Sequence, residues 1–249
     1  MTELPNSRPV VLVTGAARRV GAAIARTLHA AGYDLALHCR NSRSELDALI
    51  ADLEQQRASS TLALQAELAD VEALPDLVTD TIDRFGRLDG LVNNASTFYS
   101  TPLQSVTTKQ WDELFASNAR APFFLAKAAA SHLRERAGAI VNLLDIYAQR
   151  PLPGYSVYSM AKAAQAAMTA ALAHELGPQV RVNGVAPGAV MWPENGTSYA
   201  NKDEIIARTP LKRAGTADDV ARAVLWLLRD ASFVTGQIVR VDGGRSLAI

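Results

Sequence analysis

Tyr158 and Lys162 stand four residues apart in "YSMAK", and Asp145 precedes the tyrosine by thirteen. Side chains at i and i+4 share one face of a helix, so a phenol and an ammonium at this spacing can approach each other. A free tyrosine, with a pKa of about 10, is a poor acid–base group near neutrality unless a nearby cation favours its phenolate. Lys162 is spaced to be that cation. The ordinary alternative for a YxxxK match is a helix with a surface lysine and a partly buried tyrosine. Asp145 is open in the same way: a carboxyl group that moves protons, or a strand-end residue that caps a loop.

A second constellation lies near the start. "VLVTGAARRVGAAIA" reads as a strand, a glycine turn and a helix start. Gly15 permits the turn, Gly21 permits close helix-to-strand approach, and the helix N-terminus offers free N–H groups to a pyrophosphate. Plain turn geometry is the alternative for such glycines. The next strand ends "LHCRNS", where NAD-binding folds usually place an acid for the ribose 2′-hydroxyl. Arg40, Asn41 and Ser42 stand there instead. With Arg18 and Arg19 in the turn, planar guanidinium groups match a 2′-phosphate, and NADP is the expected dinucleotide.

These residues need elements to position them. Apolar runs at 9–15, 34–39, 60–66, 88–94, 138–145, 179–187 and 237–244 read as strands buried on both faces, the signature of a parallel sheet covered by helices. Val20, Ile24, Leu28 and Ala31 form a helical stripe after the first run, and Leu74, Leu77, Val78, Ile82 and Phe85 another after the third. Strict alternation predicts an α/β fold, one doubly wound Rossmann domain over residues 1–249 with a mostly seven-stranded parallel sheet. The long irregular stretch at 188–201 is expected to be a substrate loop.

Composition narrows the partners. A formal net charge of zero and a pI near 6.9 favour neither nucleic acid nor an anionic membrane, which leaves small molecules. No apolar run reaches membrane-spanning length, the N-terminus lacks signal-peptide design, and the lone Cys39 cannot form an intramolecular disulfide; a cytoplasmic setting is expected, with Cys39 as a small buried or half-buried filler. His29, His132 and His174 lie on helices without metal-type spacing, and no metal site is expected.

Taken together, "TGAARRVG", "NNAS" (93–96), Asn118 in "FASNARAPF", Tyr158-x-x-x-Lys162, "RVNGVAPG" (181–188) and "VDGG" (241–244) resemble the short-chain dehydrogenase/reductase family over nearly the whole chain. Arg19 stands where the family's middle glycine is usual, "NNAS" replaces "NNAG", and Asp145 holds the position of the catalytic serine. These departures resemble the pteridine reductase branch, as do "NNASTFYSTPL" (93–103) and "GYSVYSMAKAA" (154–164). The resemblance implies a nucleotide site formed by Gly15, Arg18, Arg19, Val20, Gly21, His38, Arg40, Asn41 and Ser42. Glu67 and Leu68, then Asn94, Ala95 and Ser96, and finally Pro187 and Gly188 would complete it. Lys162 would also bond the nicotinamide ribose, and Asn118 would hold a proton-relaying water.

The chemistry at Asp145 follows from the same resemblance. A serine there donates to a developing oxyanion, and an ionised aspartate would oppose that charge. Reduction of a pterin C=N bond instead makes a basic nitrogen that needs a proton, on a ring whose N–H groups a carboxylate can accept. The expected activity is NADPH-dependent reduction of dihydrobiopterin, dihydromonapterin or dihydrofolate. Asp145, Tyr158, Lys162 and Asn118 would be the catalytic residues, and Arg19, Ser96, Phe98 and Trp192 would touch the pterin beside Asp145 and Tyr158. Core packing remains open for Phe98, and a scaffold role for Trp192. The competing activities are ketone or 3-oxoacyl-thioester reduction and a non-catalytic NADP-binding regulator. Alanine-rich helices at 119–136 and 155–176 would build a homotetramer in the family, though core packing within one subunit accounts for the same alanines.

Overall fold

The computed structural model describes residues 8–191 and 202–248. Seven strands, β1 (Val10–Val13), β2 (Asp34–Cys39), β3 (Thr61–Gln65), β4 (Gly90–Asn93), β5 (Ala139–Leu143), β6 (Arg181–Pro187) and β7 (Ile238–Val241), form one sheet in the order β3-β2-β1-β4-β5-β6-β7. Every neighbouring pair is parallel. The expected strands are therefore all present, and β2 has the expected bounds. Parallel strands need crossovers, and helices supply them: α1 (Arg19–Ala30), α2 (Arg43–Gln56), α3 (Leu74–Phe85), α4 (Thr108–Phe115), α5 (Ala121–Glu135), α6 (Ser156–Leu176), α7 (Lys202–Arg208) and α8 (Ala217–Arg229).

Two apolar layers sandwich the sheet. On one face α1, α2 and α8 pack through Ile24, Leu28, Leu49 and Val224 against Val11, Val13, Leu35 and Val141. On the other, α3, α5 and α6 bring Leu77, Leu125 and Leu172 onto Val10, Leu12, Leu91 and Val182. All four residues of β1 are fully buried, and each such side chain contributes about 1.5–3 kcal/mol by leaving water. The loop that follows β1 thus hangs from a fully buried strand.

Strand order reverses between β1 and β4, the position where open parallel sheets leave a crevice at their carboxyl ends. A third, smaller cluster lies at that edge: Leu114, Ile146, Tyr147, Val157 and Tyr158, flanked by Phe98 and Tyr155. The expected helix at 119–136 is α5, and it follows directly on α4 through a π-helical turn over Ala116–Arg120. Pro122 has no N–H to give the carbonyl four residues earlier, at Asn118, so the ladder cannot continue unbroken there. Such π turns recur at functional sites.

Candidate active site

β1 delivers Thr14 and Gly15 to the crevice. Gly15 has φ +62°, and a side chain there would meet Ala95 Cα at 2.9 Å; a Cβ on Gly21 would lie 2.1 Å from the Gly15 carbonyl. Neither position tolerates another residue without movement of the turn. The turn is braced from β4: Asn94 Nδ2 donates to the Thr14 and Gly15 carbonyls, both at 2.9 Å, and Thr14 Oγ1 accepts the amides of Asn94 and Ala95 at 3.0 Å. Thr14 was not singled out from the sequence, although it precedes the glycine directly.

Helix α1 begins beyond the turn with Arg18 as N-cap, no capping side chain and no acid in its first turn. First-turn N–H groups therefore face the crevice without a side-chain acceptor, which fits a pyrophosphate. Arg19 has φ +55°, a conformation that costs a non-glycine residue roughly 1–2 kcal/mol. This is the physical reason a glycine is the easier choice there. Arg19 reaches the Met191 carbonyl at 3.3 Å and so ties the turn to the segment that follows β6. Val20 packs on the core beneath. Trp192, and the residues beyond it to Asn201, lie outside the described residues.

At the end of β2, Arg40 and Asn41 are exposed and Ser42 heads α2, with no carboxylate among them. Arg40 lies 3.7 Å from Glu67 and Arg18 lies 3.8 Å from Glu45, both exposed pairs. Exposed pairs of this kind contribute about 1 kcal/mol at most, so both guanidinium groups can turn to a stronger anion. Leu68 is buried in the core. His38 faces inward: Nδ1 accepts the Gly15 amide at 3.3 Å and Nε2 donates to the Ala66 carbonyl at 3.1 Å. A backbone amide only donates and a carbonyl only accepts, so the ring is neutral with its proton on Nε2. Burial holds its pKa below the usual histidine value. His38 therefore braces the turn from behind.

The reactive residues gather beyond β5. Asp145 uses both oxygens. Oδ1 accepts the Tyr147 amide at 2.9 Å, capping the short 3₁₀ turn Ile146–Ala148, and Oδ2 accepts the Tyr158 hydroxyl at 2.9 Å. Loop cap and site residue are thus one role each for two oxygens of one group. Burial pushes its pKa up to about 6, against the pull of the Tyr147 amide, Tyr158, Lys162 and Arg245. Lys162 is 1% exposed, which overturns the surface-lysine alternative. Its Nζ donates to the Leu143 carbonyl at 2.7 Å and to Gln165 Oε1 at 3.1 Å, and lies 5.9 Å from the Tyr158 ring centre. Burial lowers its pKa to about 8, with Asp145 opposing.

Asn118 is fully buried and its side chain is spent on structure. Nδ2 donates to the Thr97 and Leu114 carbonyls at 2.9 Å, while Oδ1 accepts Ser96 Oγ at 2.7 Å. Phe98 stacks on Tyr155, with centres 4.8 Å apart and planes 13° off parallel, and meets Tyr158 edge-on at 4.8 Å. Tyr155 was missed in the sequence; its signal is the i, i+3 spacing to Tyr158 at the start of α6. Pro187 ends β6, and a Cβ on Gly188 would sit 2.7 Å from Asp242 Cβ, so Gly188 is pressed against the residue that follows β7.

A family model described as enoyl-(acyl carrier protein) reductase matches residues 15–246. Pteridine reductase 1 of Leishmania tarentolae is 38% identical, over 99% of this chain and 99% of its own. The chain belongs to the short-chain dehydrogenase/reductase family. Other members are similar at lower identity. A putative ketoacyl reductase of granaticin polyketide synthase from Streptomyces violaceoruber is 35% identical over 99% of both chains. A 3-oxoacyl-(acyl-carrier-protein) reductase of Staphylococcus aureus is 33% identical over 94% of this chain and 96% of its own. Reductases of this family use nicotinamide cofactors, and this chain is accordingly an oxidoreductase. Among the described residues, no helix is long and apolar enough to cross a membrane.

Proposed function

We propose that this short-chain dehydrogenase/reductase is an NADPH-dependent pteridine reductase that converts a dihydropterin, or dihydrofolate, to its tetrahydro form. The observation that carries the reading is the 2.9 Å bond from the Tyr158 hydroxyl to Asp145. A carboxyl group at this position suits protonation of a ring nitrogen and opposes an oxyanion. The full-length 38% identity to a pteridine reductase supports it.

NADPH, when bound, supplies the hydride that adds to the carbon of the C=N bond. Its phosphates suit the uncapped start of α1, and its 2′-phosphate suits Arg18, Arg40, Asn41 and Ser42. The nitrogen takes the electron pair of the broken π bond and one proton. Tyr158 and Asp145 deliver that proton, Asp145 being protonated in an appreciable fraction of molecules near its pKa of about 6. Lys162 keeps a positive charge near the phenol and passes protons toward it. A water on the main-chain carbonyl of Asn118, which the ladder leaves without its usual donor, refills the relay. Phe98, backed by Tyr155, offers the flat ring an apolar face. Arg19 and Ser96 would touch the pterin edge. The assembly is a homotetramer built on α5 and α6, working in the cytoplasm.

The test is NADPH oxidation by the purified protein with dihydrobiopterin and dihydrofolate beside acetoacetyl thioesters and simple ketones. Pterin turnover is expected. Turnover of thioesters or ketones without pterins would overturn the reading and favour the ketoacyl reductase activity of the other relatives, and NADPH binding without any turnover would favour a regulator.

A further inference from the structure

A fully buried ammonium brings three N–H donors, and each needs an acceptor. Lys162 finds one in the Leu143 carbonyl and a second in Gln165 Oε1, at 2.7 and 3.1 Å. Gln165 sits three residues further along α6 and is itself 1% exposed. Because an ammonium can only donate, the amide must turn its oxygen toward it. Gln165 Nε2 is left buried with no hydrogen-bond partner. An apolar side chain of similar size would avoid that unfavourable N–H, so the amide is retained against the interest of packing. Around it the helix is held in place: Thr169 Oγ1 donates to the Gln165 carbonyl at 2.9 Å and accepts Asn142 Nδ2 at 2.9 Å, and Asn142 Oδ1 accepts Asn93 Nδ2 at 2.9 Å. This run of bonds crosses from α6 through β5 to β4.

We propose that Gln165 is a positioning residue, which fixes the Lys162 ammonium beside Tyr158 and keeps it in its donating form. The proposal rests on the proton-handling role of the Tyr158–Lys162 pair and not on which substrate is reduced. Burial brings the lysine to about 8, within reach of neutrality, so one acceptor more or less decides its charge in working conditions. Its surroundings offer little else. Asp145, from the loop after β5, is the charged group acting on it, and of the titratable groups on α6 it is Tyr158 whose ring lies beside it, His174 and Glu175 being exposed toward the far end of the helix. The π-helical turn brings neutral Asn118, the charged residues of α4 and α5 are exposed, and Arg181 of β6 is spent on carbonyls at the end of α8.

The experiment compares Gln165→Leu and Gln165→Glu in the full chain. The first readout needs no substrate: the tyrosinate absorbance titration of residue 158, taken as the difference from Tyr158→Phe in each background. Gln165→Leu is expected to move that titration up by about one pH unit and to lower kcat about tenfold at pH 7, with the cofactor KM unchanged within about twofold. Gln165→Glu is expected to restore kcat to within about threefold and to bring the titration back to or below its original pH. An unmoved titration in a folded Gln165→Leu protein overturns the proposal. So does an equal loss of kcat in both variants alongside a lowered melting temperature, the pattern of a purely structural residue. If Gln165→Leu fails to fold, the Glu variant alone decides: a titration above that of the parent overturns it. A shifted titration with no pterin turnover would sink the substrate assignment and leave Gln165 in its role.

Discussion

Asp145 and Tyr158 are joined by a 2.9 Å hydrogen bond although thirteen residues and a strand-to-helix connection separate them. The phenol donates and the carboxylate accepts, so in the ionised state the proton lies with the tyrosine. The same aspartate is unfavourable to the fold. With a folded pKa of about 6 against an ordinary 3.8, its ionised form is disfavoured, and the stability it contributes falls as pH rises from about 4 to 6 and is level above that.

Asp145→Asn should therefore keep or raise stability at pH 8, by up to about 2 kcal/mol once the retained amide contacts are allowed for. Pterin turnover should fall by about 10²-fold or more, the usual scale of acid–base catalysis. Thermal melts beside NADPH oxidation check both; unchanged turnover would remove Asp145 from the reaction.

The pH profile has a direction. If Asp145 gives a proton, kcat/KM for reduction should be highest below about pH 6 and decline as the carboxyl ionises, with a further decline near 8 as Lys162 loses its charge. In the Asn variant the lower step should vanish and the upper one persist. Initial rates from pH 5 to 9 in buffers of constant ionic strength settle it.

Gly21→Ala places a methyl 2.1 Å from the Gly15 carbonyl and 2.7 Å from Asn94 Nδ2. The first is backbone and the second is held by its two hydrogen bonds to the turn, so the turn must move. Cofactor affinity is expected to weaken more than tenfold and stability to drop by about 1–3 kcal/mol, the range for overpacking. Calorimetric titration with NADPH and a denaturant melt read the two effects.

Charge reversal at the end of β2 tests the cofactor. Arg40→Glu should raise the KM for NADPH about tenfold or more and leave that for NADH within about threefold, since one charged hydrogen bond contributes roughly 1.5–3 kcal/mol. Equal losses on both cofactors would place the 2′-phosphate elsewhere.

Phe98→Leu removes one stacked and one edge-on ring contact. At about 0.5–1.5 kcal/mol each beyond area, stability should fall by about 1–3 kcal/mol. If the ring also faces the pterin, the substrate KM should rise with little change in cofactor KM.

The sheet was legible because parallel strands buried on both faces are written as unbroken apolar runs, and 34–39 marked β2 to the residue. Tyr158 and Lys162 were legible because a helix enforces their spacing. Other features left no periodic trace. The π turn at Ala116–Arg120 continues a helical pattern and is betrayed only by Pro122. His38 reads as a strand-end residue open to a ligand, whereas strand pleating turns it inward to Gly15. Gln165 looks like any polar helical residue until the lysine beside it proves to be buried.

The Thr14–Gly15 turn comes from the first strand and His38 braces it from behind, yet the bonds to the Thr14 and Gly15 carbonyls and to the Thr14 hydroxyl come from Asn94 and Ala95. During synthesis, then, the emerging amino-terminal third of the chain carries a loop without its clamp. Only when the fourth strand slots in beside the first does the nucleotide cradle acquire its form, so a fragment ending before residue 93 should be unable to retain cofactor.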